Sequence, residues 1–259
     1  MTHESPTENG SRPCISVRDL TMAYGSFVLM RDMTFTVNQG DVFIIMGASG
    51  SGKSTLLRHL IGLNQPARGS IYYQEQDFTS ADPRQRERTL RSIGVLFQGG
   101  ALWSGMTLSE NIGLLLEGYT DLTSAEIREV ASLKLALVGL KGFEDYYPSQ
   151  ISGGMQKRAG LARAMALDPA ILFFDEPSAG LDPISARRLD ELILNLRDSL
   201  GMTVVVVSHD LASIFAIGTN CIYLDVSSRA ITASGPPKEL LAQTRDPTLR
   251  NFLTRGGNP

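Results

Sequence analysis

The sequence is poor in the residues that build disulfide frameworks and metal clusters. Its 259 residues include only two cysteines, Cys14 and Cys221, and three histidines. The two cysteines lie far apart and have no metal-ligand spacing, which argues against a disulfide framework and suits a reducing cytosol.

Long apolar runs are also missing. The richest run, 202–207, has the length of a strand and is far too short to span a bilayer as a helix. The first dozen residues are polar and include acids, which predicts a disordered tail over 1–13 rather than a signal peptide. Any membrane role is therefore expected to be peripheral.

No sign of charge dominates the composition. The formal net charge is −3, with 42% hydrophobic and 20% charged residues, as in ordinary soluble globular proteins. Nucleic acid is not an expected partner, because a bulk basic field is lacking. The charge run 84–88 contains an acid and is more typical of a solvated surface helix than of a nucleic-acid or lipid-headgroup patch.

The sequence does contain an alternation of strand and helix patterns. Apolar runs at 171–174 and 204–207, separated by a helix at 184–200, predict a β-α-β unit with buried parallel strands. Helical patterns dominate from 108 to 167. The expected fold is an α/β core interrupted by a helical segment at about 100–168. Further predicted strands lie at 15–20, 33–37, 42–46, 70–73, 93–97 and, as a hairpin, 221–225 with 230–233.

A phosphate-binding loop is the most specific local signal. The segment GASGSGKS, Gly47 to Ser54, matches G-x-x-x-x-G-K-[ST] between a predicted strand and a predicted helix. Its glycines let successive amides face an anionic phosphate, and the helix dipole adds to the attraction. Lys53 is expected to reach the outer phosphates, and Ser54 to bind Mg²⁺. The predicted nucleotide-binding residues of the loop are Gly47, Ala48, Ser49, Gly50, Ser51, Gly52, Lys53, Ser54 and Thr55.

Polar side chains follow three of the predicted strands. Asp175 and Glu176 end the run 171–174, where a Mg²⁺-bound nucleotide would compensate their charge. We expect Asp175 to hold the metal through water and Glu176 to act as general base. The alternative is a pair of solvated surface acids. His209 and Gln98 also follow strands. A lone His in that place is more often a packed or surface residue, and Gln98 could equally be a turn residue.

The stretch Ser152-Gly153-Gly154 precedes a predicted helix at about 155–167. Adjacent glycines weaken a helix start, so they are expected only where bare backbone is needed. A simple turn with Ser152 as N-cap is the alternative.

Together these segments resemble the ATP-binding cassette of ABC transporters. The resemblance runs from about residue 15 to about 235 through Tyr24, GASGSGKS, Gln98, ISGGMQKR, ILFFDE, SAGLDP and His209. It implies a P-loop NTPase cassette with a RecA-like core, an N-terminal antiparallel β-subdomain and an inserted α-helical subdomain. The implied domains are a cassette at 14–245, with the helical subdomain at about 100–168, and a short C-terminal helix and tail at 246–259.

The resemblance also assigns roles. Tyr24 would stack on adenine, Gln98 would be the Q-loop glutamine, and Asp182 would lie in the D-loop. The implied activity is Mg²⁺-dependent ATP hydrolysis. Its expected catalytic residues are Glu176, His209 and Gln98, and its expected metal ligands are Ser54, Gln98 and, through water, Asp175.

The stretch Ser152-Gly153-Gly154 matches the family signature, with Ile151 and Met155 in place of the usual Leu and Gln. In the family this signature faces ATP on the phosphate loop of a second subunit. One loop and one signature in the chain therefore imply a homodimer. None of the phosphate contacts needs the side chain at 155, so Met155 is expected to leave ATP-driven closure intact.

The subgroup resemblance is to Mla/Mce-type lipid-transport ATPases of bacterial envelopes. It is carried by FQGGALW and MTLSENI together with SGGM and EPSAGLDP. It implies an inner-membrane permease docked near 98–107, with the cassette peripheral on the cytoplasmic face. It also implies an Mce-domain lipid-binding protein and a small regulatory subunit as partners.

Three alternative functions stay open at this point, and one structural alternative. Leu181 stands where several Mla members have Gln, which leaves an ABC importer or exporter of another solute. A non-transport ABC protein and a phosphate-loop kinase are further possibilities. The apolar residues Leu102, Trp103 and Met106 are, taken singly, more typical of ordinary core packing, and only as a group do they favour a docking face.

Overall fold

The computed structural model describes residues 12–256. The predicted tail therefore lies mostly outside the described residues, and the first strand begins at Pro13, inside the predicted tail. The strands are β1 (Pro13–Tyr24), β2 (Phe27–Asn38), β3 (Val42–Gly47), β4 (Arg68–Tyr73), β5 (Gln76–Asp77), β6 (Ile93–Leu96), β7 (Ile171–Asp175), β8 (Thr203–Val207), β9 (Asn220–Asp225) and β10 (Ala230–Gly235). The helices are α1 (Lys53–Leu60), α2 (Pro83–Arg91), α3 (Leu108–Tyr119), α4 (Ser124–Leu137), α5 (Gly153–Ala164), α6 (Pro183–Leu200), α7 (Leu211–Ile217), α8 (Pro237–Gln243) and α9 (Pro247–Thr254).

Two sheets organise these elements. An antiparallel sheet has the order β2-β1-β4-β5, and a second sheet has the order β10-β9-β3-β8-β7-β6. In the second sheet β3 pairs in parallel with β8 and β9, and β7 pairs in parallel with β6 and β8. The hairpin strand β10 runs antiparallel to β9. The predicted α/β core and N-terminal antiparallel β-subdomain are both confirmed.

The central strands are buried on both faces, which explains their continuous apolar sequences. Phe43 and Ile45 of β3 join a core shared with α1 and the antiparallel sheet. Ile44 and Met46 of the same strand point the other way, into a core built with the helices. The alternation fixes the register of β3, because a one-residue shift would exchange its two faces.

The inserted segment consists of helices, as its sequence predicts. Thr107 and Thr123 start α3 and α4 with capping boxes, in which Glu110 and Glu126 bond back to the threonine backbone. The charge run at 84–88 lies on α2, which is largely exposed. No helix in the described part of the chain combines the length and apolar character that a bilayer crossing needs.

The chain beyond β10 packs on the main domain. Asp246 caps α9 by accepting a hydrogen bond from the Thr248 amide at 2.8 Å, and Pro247 occupies its first turn. Leu249 and Leu253 of this helix are buried in the larger core. The domain boundary at 245 stays a prediction.

Candidate active site

The carboxyl ends of β3, β7 and β8 open into one cavity of about 830 Å³. Parallel sheets bind ligands at this edge, and the volume falls in the usual range for a small-molecule site. Residues from distant parts of the sequence share its wall, including Gln98, Glu176 and His209. The other predicted residues lining it are Tyr24, Gly47, Ala48, Ser49, Gly50, Gly52, Lys53, Ser54 and Thr55.

The loop backbone requires glycine at Gly47. A Cβ there would lie 2.6 Å from Ser51 Oγ and 2.7 Å from the Leu224 carbonyl oxygen, and the residue has a φ of 157°. Ser51 itself is only 1% exposed. The loop therefore folds closely around the buried Ser51 hydroxyl, just before α1 begins.

Ser51 offers a test of whether the loop suits a polar ligand. Within residues 12–256 its buried Oγ has no hydrogen-bond partner. A buried hydroxyl without a partner costs free energy on the order of 1–3 kcal/mol, so such groups call for a ligand or water. A phosphate-bearing ligand in the adjoining loop would supply acceptors, and the residues present therefore fit a nucleotide.

Lys53 lies across the loop. Its Nζ donates hydrogen bonds to the carbonyl oxygens of Gly47 and Ala48, each at 3.0 Å. Burial lowers the pKa of Lys53, and the charges of Glu176 and Asp175 act in the opposite direction. An ammonium has three donors, so one stays available for an anionic ligand.

A short hydrogen bond joins the start of α1 to the end of β7. Ser54 Oγ donates to Asp175 Oδ1 at 2.7 Å, although the two residues are 121 positions apart. Asp175 is buried, so the hydroxyl compensates part of its desolvation. In the described residues no group of three or more His, Cys, Asp and Glu forms a metal cluster. A divalent cation here would instead depend on a hydroxyl, a carboxylate, an amide and the ligand's own oxygens, which is the donor set typical of Mg²⁺.

Glu176 and His209 meet directly. His209 Nδ1 lies 2.7 Å from Glu176 Oε2. An ionised carboxylate only accepts, so the imidazole donates from Nδ1, which orients the ring and leaves Nε2 as its second polar atom. Glu176 also has a φ of 50°, an uncommon left-handed conformation for a residue with a side chain.

The backbone around Gln98 is hydrogen-bonded to side chains of helix α5. Lys157 of α5 donates from Nζ to the Gln98 carbonyl oxygen, and Arg163 of the same helix donates to the carbonyls of Gly100 and Ala101. Burial lowers the pKa of both cationic side chains. These two positioning contacts were missed at the sequence level, because a helical Lys or Arg gives no local indication of what it reaches.

The signature residues do not line this cavity. Ser152 is the N-cap of α5, as the turn alternative predicts, and its Oγ accepts a hydrogen bond from the Met155 amide at 3.3 Å. A Cβ at Gly153 would meet no atom of the described residues within 4 Å. At Gly154 the nearest atom would be Ser185 Oγ, at 3.5 Å. Neither glycine is therefore needed for packing within the chain.

Asp182 lies beside the signature. It caps α6 by accepting hydrogen bonds from the amides of Ile184 and Ser185, each at 3.0 Å. Ser185 is also the nearest neighbour of Gly154. The fold thus brings Ser152, Gly153, Gly154 and Asp182 together on one surface and keeps them apart from the phosphate loop of the same chain.

The C-terminal helix contributes cavity residues that sequence reasoning missed. Asn251, Phe252 and Arg255 all line the cavity. Phe252 is anchored by the ring of Tyr223, with 5.2 Å between ring centroids. The Asp246-Pro247 pair predicts this helix, yet no local pattern indicates that it would lie against the nucleotide-binding loop.

A separate groove of about 580 Å³ lies between α2, α3 and β6. Of the residues 98–107 only Trp103, 61% exposed, lines it. Leu102 packs against the main core, which fits the core alternative for that residue. Helices α2 and α3 form the largest part of the groove instead, through residues such as Leu90, Leu114 and Tyr119.

The fold and this cavity define a nucleotide-binding cassette. Comparison with known proteins assigns the cassette to a family. The family profile described as ABC transporter matches residues 30–179. The chain belongs to this family of ATP-binding proteins.

Named relatives are similar over most of the chain. The "Intermembrane phospholipid transport system ATP-binding protein MlaF" of Escherichia coli (strain K12) is 38% identical over 92% of this chain and 88% of its own length. The "Probable ribonucleotide transport ATP-binding protein mkl" of Mycobacterium tuberculosis (strain H37Rv) is 39% identical over 92% of this chain. The chain spans 66% of the length of that mycobacterial relative.

One solved structure is informative about assembly. It is the dimeric, post-hydrolysis state of the ATP-binding cassette MJ0796 bound to ADP and Pi. It is 30% identical, has a TM-score of 0.77, and covers 86% of this chain and 98% of the compared one.

Proposed function

We propose that the protein is a Mg²⁺-dependent ATPase subunit that powers a membrane lipid transporter. The observation that carries the ATPase assignment is the convergence of Lys53, Glu176 and His209 on one cavity with the phosphate loop. Glu176 and His209 are in contact at 2.7 Å, and the terminal phosphate would lie beside this pair.

The metal would be held by few protein atoms. Ser54 and Gln98 are its expected direct ligands, and Asp175 its partner through water. Because Ser54 donates a hydrogen bond to Asp175, its hydroxyl oxygen keeps a lone pair for the cation. When bound, Mg²⁺ would offset phosphate charge.

The residues around the phosphate have separate tasks. Glu176 would accept a proton from the attacking water as general base. His209, oriented by Glu176, would contact the terminal phosphate, and Gln98 would position the water. Tyr24, 56% exposed at the cavity mouth, would stack on the adenine ring.

The signature would act in a second copy of the chain. The open space around Gly153 lets a phosphate approach the bare amides at the start of α5. The Ser152 oxygen accepts from Met155, so its own proton stays free to bond a phosphate oxygen. Two chains would therefore form two shared ATP sites in a homodimer. The similar cassette MJ0796 is dimeric in its solved structure, which supports this proposal.

The transported cargo is proposed from the relatives. A cassette never touches its cargo, so the resemblance to MlaF, a phospholipid-transport protein by name, supports phospholipid transport by analogy. The mkl relative, named for ribonucleotide transport, favours another solute as the second candidate. The exposed Trp103 groove would receive a permease at the cytoplasmic face of the inner membrane. An Mce-domain protein and a small regulatory subunit complete the proposed complex.

Replacing Glu176 by Gln tests the ATPase assignment. The variant is expected to bind ATP, accumulate as a dimer and lose at least about 100-fold in turnover, since a general base contributes at least that much. Glu129→Gln, an equal charge change at an exposed position on α4, should hydrolyse ATP normally. Normal turnover by Glu176→Gln in the assembled complex would contradict the role proposed for Glu176.

Purification of the complex in mild detergent tests the cargo. Mass spectrometry should recover an Mce-domain protein with bound phospholipid. Recovery of a binding protein for nucleotides or another small solute would favour the second candidate and remove the lipid assignment.

A further inference from the structure

Arg255 occupies a position that the proposed mechanism does not use. It follows α9 with a φ of 52°, and α9 is fixed by the buried side chains of Leu249 and Leu253. Phe252, three residues earlier, packs on Tyr223 of β9, the strand beside the one that leads into the phosphate loop. The packing of α9 on the core therefore fixes the backbone of Arg255, while its side chain reaches the cavity.

The surroundings of Arg255 correspond to the terminal-phosphate end of the site. It lines the cavity with Lys53 and also borders a small pocket shared with Glu176 and His209. Tyr24, at the proposed adenine end, is not part of that small pocket. The guanidinium therefore lies with the residues assigned to the reacting phosphate.

Among residues 12–256 the guanidinium makes only a weak contact. Its Nη2 lies 3.4 Å from Asp210 Oδ1, which is at the long limit for a charged hydrogen bond. The arginine side chain is 70% exposed, and such ion pairs contribute little stability. Exchange of Asp210 for a stronger anionic partner would cost little.

We propose that Arg255 binds the terminal phosphate of ATP from within the same chain. The inference deepens the proposed ATPase function and depends on it. A planar guanidinium can bond two phosphate oxygens at once, and it stays charged at all relevant pH values. Because ADP lacks the terminal phosphate, Arg255 makes the site select ATP over ADP. It is a binding residue that directly follows the C-terminal helix, additional to Lys53.

Competition binding against a fluorescent ATP analogue tests this role. All variants carry Glu176→Gln to prevent turnover, and free ATP and ADP are titrated separately with Mg²⁺ present. Arg255→Ala is expected to weaken ATP binding about 5–20-fold, as for loss of a charge-assisted hydrogen bond, and ADP binding less than about twofold. Arg255→Lys should recover part of the ATP affinity.

Arg250→Ala is the matched control, because it removes an exposed cation of α9 that lies outside the cavity, five residues before Arg255. Its affinities should be unchanged. Equal losses for Arg250→Ala and Arg255→Ala, or an unchanged ATP-to-ADP ratio in Arg255→Ala, would overturn the proposal. Thermal melting checks that the variants fold. If the parent protein bound no ATP at all, the ATPase function itself would fail, which is a distinguishable result.

Discussion

Asp190 is a buried carboxyl outside the proposed site. It lies on α6, where Ser213 Oγ donates a hydrogen bond to its Oδ2 at 2.8 Å. Burial raises the pKa of Asp190 to about 6, and the charges of Asp210 and Glu191 act in the same direction, against the Ser213 hydrogen bond. The folded protein therefore holds this proton up to a higher pH than the unfolded chain does.

The raised pKa of Asp190 makes the stability of the folded protein depend on pH. Since the unfolded group titrates near 3.8, the folded state loses relative stability as the pH rises from about 4 through 6. Asp190→Asn should therefore raise the free energy of unfolding at pH 8 by about 1–2 kcal/mol, allowing for partial solvent screening. The gain should shrink toward pH 4. Urea unfolding at pH 5 and pH 8 measures it, and Asp121→Asn on an exposed loop should show no such trend.

Local patterns explain which residues of the site were predictable. Lys53 and Ser54 follow from an eight-residue motif, and Asp175 from the end of an apolar strand. The contacts of Lys157 and Arg255 could not be predicted, since they join residues 59 and 45 positions apart. Such contacts depend on how helices pack on the sheet, which periodicity does not specify.

At the scale of elements, the start of α5 carries a testable conflict between stability and function. Ala favours helices by up to about 1 kcal/mol over Gly, and Gly154 has room for a methyl group. Gly154→Ala should therefore melt no lower than wild type. Its ATPase activity in the assembled dimer should fall about tenfold or more. The reason is that the methyl group would obstruct the approach of the phosphate to the backbone amides that donate hydrogen bonds to it.

Gly118→Ala in α3 is the control, since it makes the same substitution in open space on another helix. Both its melting temperature and its ATPase activity should match or exceed wild type. A Gly154→Ala protein with full activity would mean that the bare backbone serves no ligand.

The element boundaries show where pattern reasoning fails. The predictions 15–20 and 33–37 capture only half of β1 and β2, each of which has 12 residues. Register shifts occur between Val17 and Leu20 and again after Leu20, and Asp19 has a φ of 48°. These bulges break the period-2 alternation, so the hydrophobic pattern does not mark the full length of each strand. The unbroken runs of β3, β7 and β8 were predicted nearly to the residue.

At the scale of the whole molecule, the separation of signature and phosphate loop predicts complementation. Lys53→Ala chains would keep an intact signature, and Gly154→Asp chains an intact phosphate loop. Each variant alone should be inactive. Mixed dimers would hold one complete site, so an equal mixture should recover up to about a quarter of wild-type activity if sites act independently.

The measurement is ATP turnover after the two purified chains are mixed under conditions that let dimers exchange. A mixture of Lys53→Ala with Lys53→Ala/Gly154→Asp is the control, because no combination of those chains restores a site. Failure of the first mixture to regain activity, with exchange verified by size, would contradict a site shared between chains.

The left-handed backbone of Glu176 has a consequence for laboratory evolution. A residue with a side chain at a φ of 50° is strained by roughly 1 kcal/mol, and glycine would relieve this strain at once. Selection for heat resistance alone would thus favour loss of the carboxylate that the chemistry needs. A thermostable library of this protein should accumulate glycine at position 176 unless turnover is selected at the same time.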